Sequence, residues 1–178
     1  MKNEKIYFMI TIVLICCIIW YINITFLVTN TIQIQSDNIQ SEIKIVELTD
    51  LHGAEFGTEN KQIMKKIEKI QPDFVTITGD MYTANDKKGR KIAVQLLEQI
   101  AKKYPTYLVN GEHDNDKDYL KEVEELGVHV LDNRKENIQI RENEICLYGI
   151  TNVYYTPDFD LNDKFEIDER KVQYFIST

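Results

Sequence analysis

The chain is short of cysteine, histidine and basic charge. Three Cys are too few and too poorly spaced for a disulfide framework. Cys16 and Cys17 adjoin inside an apolar run and Cys146 falls in an expected strand, so no C-x-x-C spacing points to zinc or redox chemistry. All three read as apolar fillers, because free Cys is among the most buried residue types. Lys and Arg number 21 against 29 Asp and Glu. That deficit argues against nucleic acid as a partner, since phosphate backbones are held by clustered basic side chains. Neither G-x-G-x-x-G nor G-x-x-x-x-G-K-[ST] occurs, which argues against a plain nucleotide-binding α/β module. No internal repeat or low-complexity segment is present.

Charge is also missing from residues 6–28, a run of 23 residues rich in Ile, Leu, Val and Phe. A helix needs about 20 apolar residues to cross a bilayer core. Lys2 and Lys5 precede the run and no basic residue follows until Lys44. The positive-inside tendency then puts the N-terminus in the cytoplasm. A signal peptide would have a shorter apolar region, about 7–15 residues, and an A-x-A-like site, which is absent here. Ile15 precedes Cys16 where a lipoprotein signal wants a small residue. The expected organisation is a cytoplasmic N-terminus over 1–5, a single-pass transmembrane anchor over 6–28 and a polar tether or early edge strand over 29–41. A domain over 42–178 follows, on the outer face of the cell membrane.

Past residue 42, short apolar runs alternate with helical periodicity. Strands are expected at 43–48, 74–78, 106–109 and 128–131. Helices are expected at 58–70 with Thr58 as cap, at 91–103 and at 117–126. Asp86 to Lys91 reads as a solvated loop and helix start. Pro72 and Pro105 mark helix ends, and Gly127 suits the position after one. Residues 137–140 and 145–150 form a hairpin turning near Glu142-Asn143, and 172–176 is a last strand. Strand–helix–strand alternation implies an α/β fold with parallel strands. Ligands in such sheets sit beyond the C-terminal strand ends.

Polar motifs stand at those ends. Asp50-Leu51-His52 follows the first strand, Gly79-Asp80 the second and Gly111-Glu112-His113-Asp114 the third. Each is weak alone, but their shared position makes the set informative. Asp50 and His52 are two residues apart, so an extended backbone would aim both to one side. Together they can grip one ion, and the two oxygens of Asp80 can bridge a pair. Mixed oxygen and nitrogen donors suit Mn, Fe, Zn or similar ions. Two such ions can clamp the attacking and leaving oxygens of a phosphoryl displacement and activate water.

The segments TDLHGAEFG, QPDFVTITGDM, YLVNGEHD and LGVHVLDN resemble the calcineurin-like metallophosphoesterase family, and most of all its bacterial membrane-anchored branch. The resemblance covers roughly 43–150. It implies the N-terminal part of an αββα sandwich and a hydrolase that cleaves a phosphate ester or pyrophosphate with two divalent metal ions. By it, Asp50 and His52 ligate the first metal, Asp80 bridges both, and Glu112 ligates the second. His113 contacts the scissile phosphate and assists the leaving group, with Asp114 orienting His113 or its loop.

Two departures qualify the resemblance. Glu112 stands where the family usually has Asn, which adds negative charge beside the phosphate and implies reduced activity or a shifted metal preference. The family also uses a later His and a Gly-His-x-His motif, whereas this chain has only His52, His113 and His129. His129 reads as structural. The expectation is a C-terminally incomplete domain with part of its sheet surface uncovered. The alternative function is a catalytically impaired remnant, a membrane-attached domain for binding or interaction. Tyr154, Tyr155 and Phe159 read as packing, or else as a lipid- or substrate-facing loop.

Overall fold

A computed structural model of the chain describes residues 2–25, 27–151, 160, 165–167 and 171–177. The aromatic cluster at Tyr154, Tyr155 and Phe159 lies outside these. The chain divides into two units, Met1–Ile32 and Gln33–Thr178.

In the first unit, α1 runs Lys2–Thr25. It starts four residues before the charge-free run, so Lys2, Glu4 and Lys5 lie within it. Ile6, Tyr7, Phe8, Met9 and Ile10 are exposed. The expected span over 6–28 is not recovered: among the described residues, no helix is long and apolar enough to cross a membrane. Residues 29–41 form no strand.

The second unit is built on four parallel strands, β1 (Ile45–Leu48), β2 (Phe74–Thr78), β3 (Thr106–Val109) and β4 (His129–Val130), in the order β1-β2-β3-β4. Their near-continuous apolar sequences suit strands covered on both faces. Helices α2 (Lys61–Ile70), α3 (Lys87–Ala101) and α4 (Lys117–Glu125) link them in turn. Each step moves the same way across the sheet, so right-handed crossovers put all three helices on one face. Val75, Ile77 and Leu108 alternate toward that face and are fully buried. So are Leu97 and Ile100 of α3 and Val123 of α4.

The opposite face is not bare. A second sheet, β5 (Lys135–Ile140), β6 (Asn143–Ile150) and β7 (Val172–Ser177), packs against it. Phe74, Tyr107 and Val109 of the first sheet share a core with Leu131 and with Ile145, Leu147 and Ile176 of the second. The expectation of uncovered sheet surface therefore needs correcting here. β6 pairs antiparallel with β5 and parallel with β7. Burial of each large side chain in this layer contributes about 1.5–3 kcal/mol.

Local chemistry moves several boundaries. α3 begins at Lys87, four residues early, because Asp86 caps it by accepting the Lys88 N–H at 3.0 Å. Thr58 caps nothing. Residues Thr58–Asn60 form a 3-10 turn, and buried Asn60 accepts the Phe56 N–H at 2.9 Å. The hairpin turns at Arg141-Glu142. His129 is structural, as read: its Nδ1 lies 3.0 Å from Glu136 Oε2, and its ring packs 5.0 Å from that of Tyr107.

A clasp closes the N-terminal edge of this unit. Buried Asn143 accepts the Gln40 N–H at 2.7 Å and donates to Ser41 Oγ at 2.8 Å and Ser41 O at 3.1 Å. Arg141 donates to Glu42 O and to both oxygens of Asp73. Asp73 in turn accepts the Lys44 N–H at 2.8 Å. Each such bond contributes about 1 kcal/mol, and buried donors left open cost more. Asn143→Ala is therefore expected to cost roughly 2–3 kcal/mol in urea unfolding. A change under about 0.5 kcal/mol would show the clasp to be incidental.

Candidate metal centre

The strand ends bring the motifs together by extending the pairing of β1 and β2 into their loops. The Asp50 N–H donates to Gly79 O at 3.3 Å, His52 N–H to Asp80 O at 2.9 Å and Gly53 N–H to Met81 O at 2.8 Å. The two loops thus run side by side. Gly53 is required there, because its φ is +75° and a Cβ would lie 2.6 Å from Gly89 Cα.

Asp50 and His52 do converge, but not as alternate residues of a strand. Their φ angles are 54° and 47°, and that of Asp80 is 52°. All three sit in left-handed backbone, which non-glycine residues seldom adopt and Asn, Asp and His adopt most. The sharp turn, not strand alternation, aims the side chains inward.

Donor atoms of Asp50, His52 and Asp80 all lie within 4.8 Å of one another. Asp50 Oδ1 and His52 Nε2 are 3.8 Å apart. Two donors each about 2.1 Å from one ion are at most about 4.2 Å apart, so this pair fits a shared metal. The Thr49 hydroxyl donates to Asp50 Oδ2 at 2.7 Å, which leaves Oδ1 turned toward His52. Asp50 and His52 are exposed and Asp80 is half-buried, so an ion could enter from solvent.

Of the third motif, the structure places His113 beside this group. Its ring stands edge-on to that of His52, centroids 5.4 Å apart, and its main-chain N–H donates to Asp80 Oδ1 at 3.0 Å. Gly111 leaves room for this contact, since a Cβ there would collide with the Asp80 carboxylate. Glu112 is exposed and does not join the three converging donors. Asp114 is fully buried and accepts the Gly111 N–H at 2.6 Å and the Met81 N–H at 3.0 Å. It ties the second and third loops together. Burial pushes its carboxyl above the usual range, against the pull of those N–H donors.

Sequence reasoning missed Thr83, whose Oγ1 lies 3.4 Å from His52 Nδ1. Nothing in the local sequence marks it; only the pairing of the two loops brings it to the histidine.

These features make a group of three donors that could hold a metal ion at the ends of a parallel sheet. The calcineurin-like phosphoesterase family profile matches residues 43–175, so the chain belongs to that family. A metallophosphoesterase of Campylobacter jejuni, itself uncharacterized, is 29% identical over 86 residues. That match covers 47% of this chain and 23% of the relative, so the chain spans about a quarter of the relative's length in it.

Proposed function

We propose that the chain acts as a metal-dependent phosphoesterase on a phosphate ester or pyrophosphate, with Asp50, His52 and Asp80 as its metal-binding nucleus. The convergence of those three donors at the strand ends, with His113 alongside, carries the reading. A divalent ion there would supply Lewis acidity to a phosphoryl oxygen and lower the pKa of water. Asp50 Oδ1 and His52 Nε2 would hold it together, with Asp80 completing the grip. If two ions bind, Asp80 would be shared between them and Glu112 would serve the second. Exposed His113 would contact the phosphate and assist the leaving oxygen, while Asp114 keeps its loop in place. Mn, Fe and Zn all suit this donor set.

We further propose that the chain is attached to the cell membrane with its N-terminus cytoplasmic and its domain outside. The charge-free run over 6–28 and the exposed apolar side chains of α1 support this placement. The substrate class then includes phosphate esters at or near a lipid surface.

A second reading, an impaired domain that binds metal or partners without turnover, is favoured by one observation. Among the described residues, Glu112 lies outside the converging group. The full chain in detergent with Mn²⁺ and bis(p-nitrophenyl) phosphate separates the two. Turnover that Asp80→Ala removes supports the phosphoesterase. Metal uptake without turnover selects the second reading, and the absence of both defeats each.

A further inference from the structure

We infer that Thr83 is a positioning residue that holds the His52 ring with Nε2 turned toward the converging donors. The inference rests on the proposed metal nucleus and adds a residue to it. Within the His52 ring the two nitrogens face different neighbours. Nε2 lies 3.8 Å from Asp50 Oδ1, on the side where the donors converge. Nδ1 lies 3.4 Å from Thr83 Oγ1. An imidazole that gives the Nε2 lone pair to an ion must carry its proton on Nδ1. That proton is then donated to the Thr83 hydroxyl oxygen.

The backbone holds this pair in register. His52 N–H on Asp80 O and Gly53 N–H on Met81 O lock the first loop to the second, three residues before Thr83 in one case and two in the other. The Asp86 N–H donates to Thr83 O at 3.0 Å and closes a turn at the start of α3. Thr83 is therefore fixed at its carbonyl while its hydroxyl remains free to rotate to the histidine. Thr49 does the same for the other ligand, occupying Asp50 Oδ2 and turning Oδ1 inward. Each of two neighbouring ligands thus has a hydroxyl on its outer atom. Partners of this kind fix ring orientation and raise ligand basicity, and their loss typically costs about 10–100-fold in metal affinity.

The experiment compares the full chain with Thr83→Val and Thr83→Ser. Zinc affinity is read by calorimetry and the His52 ring nitrogens by ¹⁵N NMR of the zinc-loaded protein. Valine keeps the branched shape and removes the hydroxyl, and Thr83 is exposed, so melting in EDTA should not move. The expected results are a roughly 10–100-fold weaker zinc affinity in the valine variant, recovery in the serine variant, and faster exchange of the His52 Nδ1–H of the zinc-loaded protein in the valine variant only. Valine affinity within about twofold of wild type, or failure of serine to recover it, overturns the role of Thr83. A wild-type chain that takes up no zinc instead overturns the metal nucleus beneath it.

Discussion

His52→Gly is expected to abolish divalent metal uptake while leaving the metal-free protein more stable by about 0–1.5 kcal/mol. Left-handed backbone costs an ordinary L-residue roughly 1–2 kcal/mol, and glycine escapes that cost. Against it stands the extra freedom glycine brings to the unfolded chain, about 0.5–1 kcal/mol. Histidine at φ 47° lies on the unfavourable side of that balance. Its side chain is 42% exposed, so little packing is lost with it. His52→Ala provides the control, since it removes the imidazole but keeps the strain. Both variants should lose metal by more than the 10–100-fold typical of a supporting residue. Only the glycine variant should melt above wild type in EDTA. A glycine variant no more stable than the alanine variant would refute the strain argument. Asp50→Gly should follow the same direction, because Asp50 stands at a similar φ of 54°.

Asp114→Ala is expected to be the most destabilising single change at the site, at about 2–6 kcal/mol. The buried carboxylate accepts from Gly111 and Met81, one on each side of the loops that carry Asp80 and His113. Truncation leaves both main-chain donors buried and open, at about 1–3 kcal/mol each. Removing a buried carboxylate also relieves its desolvation, which works the other way, as its raised pKa records. The loss still prevails, because two fixed donors cannot turn to water. Asn keeps one acceptor oxygen, so denaturant midpoints should fall in the order wild type, Asp114→Asn, Asp114→Ala. An asparagine variant as stable as wild type would show that one acceptor oxygen suffices and that paired acceptance does not hold the loops.

The parallel sheet was legible wherever one segment carried its own boundaries. Phe74–Thr78 and Thr106–Val109 are apolar, follow Pro72-Asp73 and Pro105, and form strands over the expected residues. The start of α3 was not legible, because Lys87, Lys88 and Gly89 look like a loop until Asp86 is seen capping them. The second sheet was only half visible. Its hairpin shows in the sequence, but β7 joins β6 in parallel across a long connection that no local pattern encodes. Asp50, His52 and Asp80 could be chosen from their strand-end positions, yet the reason they converge is a backbone conformation that the sequence does not announce. Arg141 and Asp73 lie 68 residues apart, so their pairing exists only once both layers are assembled.

The clasp around Asn143 has a practical corollary for where the folded body starts. Gln40, Ser41 and Glu42 belong to no strand or helix, yet the hairpin holds all three through their main chain. A shortened form begun at the first strand would forfeit those anchors and expose the amide of Asn143. One begun at Gln33 would retain them. Hydrogen bonding, and not regular secondary structure, thus draws the outer limit of this unit, several residues upstream of its first β-residue.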